Sequence, residues 1–179
     1  MKLEGKTIYL RPIKIEDANS TYVNWLNDKE INQYLESRFV LATTENVKKF
    51  IENIIQTTDT FFFAIIDKIT NEHIGNIKLG PVNTYHKRGD IGLLIGNKKY
   101  WGKGIGTEAI ALISDFAFNN LNLDKIMAGC YANNIGSFKA FIKCGFVEEG
   151  LFKHHCISAT GEKVDVFMLA KYNSKIELY

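Results

Sequence analysis

The chain has 179 residues, 46% of them hydrophobic and 23% charged, with a formal net charge of +2. That balance supplies enough apolar surface to offset the entropy of ordering, which excludes a disordered chain, and the near-neutral charge excludes a nucleic-acid footprint or a membrane-surface stripe. No apolar run approaches the roughly 18 residues of a membrane span, and the start Met1-Lys2-Leu3-Glu4-Gly5-Lys6 lacks an apolar signal core, so one cytoplasmic domain over residues 1–179 is expected.

The first predicted strand covers 7–12 and ends at Pro12. Asp17 is expected to cap a helix through about residue 26, with Ala18, Tyr22, Trp25 and Leu26 at helical spacing. A short helix follows over 28–35. Thr43 or Thr44 caps a third helix, in which Val47, Phe50, Ile51, Ile54 and Ile55 form an apolar stripe. Residues 61–67 read as a buried strand, joined through the polar Thr70-Asn71 turn to a second at 73–79. Then come a strand at 88–95, a long helix at 107–121, a strand at 124–131 and a helix at 137–144, closed by strands at 146–157 and 163–171. Strands and helices alternate after an N-terminal hairpin region, which predicts an α/β chain with a mixed sheet and helices on both faces. The tail 173–179 either frays or is ordered by a partner.

Cys130, Cys144 and Cys156 are odd in number and lack paired ligand spacing, so buried reduced thiols are expected. His154-His155-Cys156 has ligand chemistry. In a strand, however, consecutive side chains point to opposite faces, so no metal is expected there.

Between the strand at 88–95 and the long helix lies Tyr100-Trp101-Gly102-Lys103-Gly104-Ile105-Gly106-Thr107-Glu108-Ala109. Glycines at alternate positions let the backbone bend tightly and turn successive amides toward one anion. The helix that starts there adds unpaired N–H donors and its positive dipole end. The loop therefore suits a pyrophosphate, or it is only a tight strand-to-helix turn. The Walker A spacing is absent, and Thr107 stands where a dinucleotide fingerprint needs its third glycine.

The segment Asn133-Asn134-Ile135-Gly136-Ser137-Phe138-Lys139-Ala140-Phe141-Ile142-Lys143-Cys144-Gly145-Phe146 follows the next strand. Together with the loop it resembles the GNAT superfamily of acetyltransferases, and within it the RimJ/RimL-like branch, over roughly residues 7–172. The resemblance implies a twisted mixed sheet with a V-shaped splay between two central parallel strands, here 88–95 and 124–131. It also implies acetyl-CoA as co-substrate, without a metal. The pantetheine arm would pair with backbone near Leu94 and Ile95, and the amides from Gly102 through Lys103, Gly104, Ile105 and Gly106 to Thr107 would hold the pyrophosphate. Asn134 falls on the family's cofactor-contacting asparagine, with Ser137 one turn on. Lys103 and Lys139 either approach the phosphates or are solvated surface charges.

The implied reaction is attack of a neutral amine on a thioester, with substrate juxtaposition supplying several kcal/mol. Backbone N–H groups near 94–96 would stabilise the oxyanion. Many members of the family carry a tyrosine seven residues after the asparagine as proton donor to the thiolate; here Phe141 stands there. Tyr131 or a water is then the candidate acid. Glu36, His86, Asp90 and Asp165 are candidate bases. An imidazole is suited to act as a base at neutral pH, which favours His86, although a solvated loop histidine reads the same way.

Trp25-Leu26-Asn27-Asp28, Tyr34 to Phe39 and the segment 83–90 look similar to acetyltransferases encoded with surface-polysaccharide genes, which act on nucleotide-linked amino sugars. On that likeness Glu36 and Arg38 bind a polar acceptor, or form a surface ion pair, and Arg38, Lys87 and Arg88 build an electropositive cleft for a diphosphate. The expected partner is thus a small-molecule amine, foremost a nucleotide-sugar. A protein N-terminus or another small amine is the alternative, and a CoA-binding module without catalysis a further one. Nucleic acid and membrane are not expected as partners, and a homodimer is left open.

Overall fold

The computed structural model describes residues 1–175, so the last part of the tail lies outside the described residues. Strands β1 (Leu3–Glu4), β2 (Ile8–Pro12), β3 (Phe61–Asp67), β4 (His73–Leu79), β5 (Arg88–Ile95), β6 (Lys125–Tyr131), β7 (Val147–Ile157) and β8 (Lys163–Tyr172) form one sheet in the order β1-β2-β3-β4-β5-β6-β8-β7. Every neighbouring pair is antiparallel except β5 and β6. The mixed sheet and alternating helices agree with the expected class.

Helices α1 (Ser20–Asn27), α2 (Lys29–Asn32) and α3 (Thr44–Gln56) follow β2, while α4 (Ile105–Asn119) and α5 (Ile135–Lys143) flank β6. The α4 side chains Ala109, Ile110, Ile113 and Ala117 are fully buried against the sheet, among Ile8, Leu10, Phe63, Ile77 and Ile126. Each such isoleucine contributes roughly 1.5–3 kcal/mol by leaving water. The opposite face of the sheet is covered by α1 and α3 through Tyr22, Trp25, Val47 and Ile51, packed on Ala64 and Ile66. Helices on both faces follow from strands that are apolar on both sides.

Three local expectations are corrected. Asp17 does not cap α1: it sits buried in a single 3-10 turn, bonded to both Arg11 terminal nitrogens at 2.7 Å, and Asn19 is the cap. The α3 stripe is narrower than its spacing suggests, because Val47 and Ile51 are buried whereas Phe50 and Ile55 stay exposed. Of the cysteines only Cys130 is buried; Cys144 and Cys156 are partly exposed, and all are free thiols. At the start of the tail, Asn173 is held in place, its amide donating to Leu123 O at 3.1 Å.

One topological feature positions everything that follows. The parallel β5–β6 pairing covers only Arg88–Lys125, Gly89–Ile126 and Asp90–Met127. Beyond Asp90 the two strands part, and the second half of β5 keeps a ladder only with β4. The expected splay between the central strands is present.

Candidate active site

A cavity of about 930 Å³ fills this splay. Leu94, Ile95, Gly102, Gly104, Ile105, Gly106, Thr107, Tyr131, Asn134, Ser137 and Glu36 all line it, so one cavity collects most of the residues singled out by sequence. Lys103, Arg38, His86, Arg88, Asp90 and Asp165 do not.

At one end the wall is backbone. Gly102 and Gly104 adopt φ of 73° and 81°, the left-handed region that glycine enters without strain. Gly104 is the N-cap of α4 and carries no capping side chain. The first amide closed within the helix is that of Glu108, on Gly104 O at 3.0 Å, so the amides of Ile105, Gly106 and Thr107 have no helical partner. They face the cavity at the positive end of a helix dipole, an arrangement that favours an anion. A Cβ on Gly102 or Gly104 would meet nothing within 4 Å, so the space above the loop is open. The loop is held from behind. Trp101 Nε1 donates to Ile95 O at 2.8 Å, Cys144 Sγ to Thr107 O at 3.2 Å, and Glu108 takes the Thr7 amide at 2.8 Å together with the Thr7 hydroxyl. Lys103 leans over the Tyr100 ring at 5.7 Å instead of facing the cavity. Lys139 and Lys143, one turn apart on α5, do face it.

The edge of β5 corrects one expectation. Even-numbered residues spend their backbone groups on β4: Gly80 N–H donates to Asp90 O at 2.8 Å and Gly96 N–H to Ile74 O at 2.9 Å. Because backbone groups alternate along a strand, Leu93 and the Ile95 amide, not Leu94 and Gly96, face the splay, while Ile95 O is taken by Trp101 Nε1. The Gly96 amide is therefore not free for an oxyanion. Trp25 packs on that glycine so closely that a Cβ there would collide with its ring.

At the other end the wall is side chains. Tyr131, the last residue of β6, donates its hydroxyl to Glu36 Oε1 at 2.7 Å and accepts from Arg38 Nη1 at 3.1 Å. Burial, then the bond to Glu36, pushes the Tyr131 phenol well above its ordinary pKa, so it stays protonated across physiological pH. The Glu36 side chain is 75% exposed, whereas that of Arg38 is 6% exposed. Tyr34 stacks edge-on to Tyr131 at 5.8 Å and reaches Asn133 O at 3.3 Å, tying the segment after α2 to the far side of the cavity. Asn134 caps α5 by accepting the Ser137 amide at 3.2 Å. Phe141, where the family tyrosine would stand, is buried edge-on to Phe146 at 4.9 Å.

Sequence reasoning gave no site role to Tyr34, Trp101, His155 and Cys156, which also line the cavity. For the last two the missing signal was a bulge. Pairing of β7 with β8 shifts between Phe152 and Cys156, and His154 has φ of 53°, so the alternation expected over 154–156 is broken and His155 and Cys156 share the cavity wall. Among the described residues no group of three or more His, Cys, Asp or Glu is placed to hold a metal ion. None of their helices is long and apolar enough to cross a membrane.

The remaining expectations fall at the wrong places. His86 is exposed in the loop before β5, its amide on Asn83 Oδ1 at 2.9 Å, at the paired end of the strand and not the splayed one. Arg88 and Asp90 lie at that same end. Asp165 is taken by the His154 amide at 2.8 Å and Lys153 Nζ at 3.1 Å. Arg38, Lys87 and Arg88 do not converge, because Arg38 is spent inside the protein and Lys87 pairs with Asp124 at 3.7 Å.

Residues 7–147 match the acetyltransferase (GNAT) domain family. A probable N-acetyltransferase of Bacillus subtilis, YjcK, is 32% identical over 83% of this chain and 85% of its own length. The spermidine N(1)-acetyltransferase of Escherichia coli is 28% identical over 83% of this chain and 77% of its own. Among solved structures, the Vibrio cholerae spermidine N-acetyltransferase in complex with CoA and spermine superposes with a TM-score of 0.84 at 24% identity, covering 94% of this chain and 97% of that one. The Vibrio fischeri ribosomal-protein-S5-alanine acetyltransferase gives 0.84 at 25% identity, covering 99% and 100%. The chain belongs to the GNAT acetyltransferases and is an acetyl-CoA-dependent N-acetyltransferase.

Proposed function

From this membership we infer that the chain acetylates a primary amine carried by a small cationic acceptor, with Glu36 receiving the amine and the loop of Gly102, Gly104, Ile105, Gly106 and Thr107 receiving the cofactor's pyrophosphate. The observation that carries this reading is the polarity of the cavity: unpaired amides and two α5 lysines at one end, a solvent-open carboxylate on a buried tyrosine at the other. Glu30 also lines the cavity but is paired with Lys98 at 2.6 Å; Glu36, the other carboxylate among the described lining residues, lies 3.9 Å from Arg38 Nη1 yet stays open to solvent. Acetyl-CoA supplies the activated thioester. Glu36 accepts the proton that the amine must shed, and Tyr131, kept protonated by its burial, holds a proton for the leaving group. The Leu93 and Ile95 amides are the backbone donors that face the splay, and Asn134 and Ser137 border the path between the two ends.

The finer acceptor is argued on charge. An aliphatic diamine or polyamine suits an acidic end, and the relatedness to a spermidine acetyltransferase points the same way. A nucleotide-activated amino sugar, the acceptor expected from the sequence, needs cations for its diphosphate. The described lining residues offer Lys139, Lys143 and His155 only, and both lysines are at the loop end. A protein N-terminus of the RimJ/RimL type is the second reading, favoured by the structural likeness to the ribosomal-protein acetyltransferase. Thiol release from acetyl-CoA, measured across spermidine, short diamines, an alanine-terminated peptide and a 4-amino sugar nucleotide, separates them. Spermidine and the diamines should turn over fastest. Release with the sugar nucleotide alone would overturn the cationic reading and restore the sugar one.

A further inference from the structure

Arg38 was expected to touch the acceptor, yet it is absent from the cavity wall and buried behind Tyr131. Its Nη1 donates to Leu35 O at 2.7 Å and to the Tyr131 hydroxyl at 3.1 Å, and its Nη2 donates to Ile157 O. Those carbonyls come from the turn before Glu36 and from the end of β7, so the guanidinium is fixed from two sides. Its Nε is buried with no hydrogen-bond partner. An unpaired buried donor costs roughly 1–3 kcal/mol, so this arginine is held where packing alone would favour an apolar chain.

Donor and acceptor counting shows what the arrangement does. A guanidinium only donates and an ionised carboxylate only accepts. With Arg38 on one side and Glu36 on the other, the Tyr131 oxygen must accept from the first and donate its single proton to the second. We propose that Arg38 is a positioning residue that occupies the lone pair of Tyr131 facing the protein interior, so that the phenol proton is directed to Glu36 while that carboxylate is ionised and into the cavity once it is not. The sequence balances: as the amine nitrogen bonds to the thioester carbon and the C–S bond breaks, the nitrogen loses a proton to Glu36, the protonated carboxyl passes it to the phenol oxygen, and Tyr131 gives its own proton to the departing sulfur. Glu36 ends ionised and Tyr131 neutral, as each began. This rests on the assignment of Glu36 and Tyr131 to the acceptor end.

A double-mutant cycle tests it. Arg38→Met should lower kcat about tenfold in the wild-type background, a partial loss of the roughly 10²–10⁴-fold that a positioned acid or base contributes. Added to Tyr131→Phe it should change kcat less than about twofold, because the group it acts through is gone. Spermidine affinity for the CoA-loaded protein, read by calorimetry, should show the same non-additivity, while CoA affinity stays that of wild type and the loss of the Leu35 and Ile157 bonds lowers the thermal midpoint equally in both backgrounds. Arg38→Lys, which keeps the charge but not both arms, replaces Arg38→Met in the cycle if the latter fails to fold, and should recover only part of the loss. Equal losses of kcat in both backgrounds would overturn the positioning role. If Tyr131→Phe and Glu36→Gln themselves leave kcat and spermidine affinity unchanged, the acceptor-end assignment fails and the role of Arg38 falls with it.

Discussion

The two ends of the cavity are made of different material. At the loop end the wall is main-chain amides on the first turn of α4 with Lys139 and Lys143 beside them, and the side chains behind, Trp101, Cys144 and Glu108, brace the turn. At the Tyr131 end the contacts are side chains from the last residue of β6, the 3-10 turn at Glu36–Phe39 and the bulged part of β7. A site made of backbone depends on a few dihedral angles and tolerates most side-chain changes. A site made of side chains depends on tertiary packing and tolerates few. The loop end should therefore break at glycine, and the Tyr131 end at its hydrogen bonds.

The largest effect is expected from Gly104→Val. Its φ of 81° is open to glycine, and a β-branched residue there must either strain or move the cap. Losing two hydrogen bonds to a charged ligand, at roughly 1.5–3 kcal/mol each, corresponds to about a hundredfold or more in Kd. Calorimetric titration with CoA should show that loss with the thermal transition still cooperative. A folded variant with unchanged CoA affinity would place the pyrophosphate elsewhere and dissolve the contrast between the ends.

Trp101→Phe should act in the same direction and more gently. It keeps the ring but removes the indole donor on Ile95 O, so the loop loses a brace and not a ligand contact. One hydrogen bond of about 1 kcal/mol predicts a CoA affinity a few-fold weaker. Acceptor affinity should stay fixed. A shift in spermidine affinity as large as that in CoA affinity would mean the two ends are not independent.

The same contrast explains what was legible in the sequence. The glycines that shape the loop are neighbours in the chain, and their spacing alone separates an anion cradle from the Walker and dinucleotide loops. The strand 88–95 was read to the residue, because a short apolar run flanked by turn residues is a local pattern. Glu36 and Tyr131 are 95 residues apart and their bond is tertiary, so composition and period carry no trace of it. His86 shows how this misleads: it has base chemistry and stands next to β5 in sequence, but at the end where the strands are still paired. Arg38 misled in the opposite sense, since an arginine beside a glutamate reads as a surface pair, yet its guanidinium is buried.

Asp90 provides the smallest and cleanest check. It lies on β5 where the strand still pairs with β6, half-buried and outside the cavity. Burial pushes its carboxyl above the ordinary carboxylate value, with Arg88 and Lys78 only partly opposing. A folded state that binds the proton more tightly than the unfolded chain gains stability as pH falls through the folded pKa. At neutral pH the ionised Asp90 accordingly weighs against the fold. Asp90→Asn removes that charge, so its thermal midpoint should rise slightly at pH 7, solvent screening of a half-exposed group keeping the gain small. The gain should vanish at pH values below the ordinary carboxylate range, where both residues are neutral. Acetylation should be unchanged in kcat and in pH–rate profile. A tenfold fall in kcat with loss of the acidic limb would make Asp90 the base, and would move the chemistry from the splayed end of β5 to its paired end.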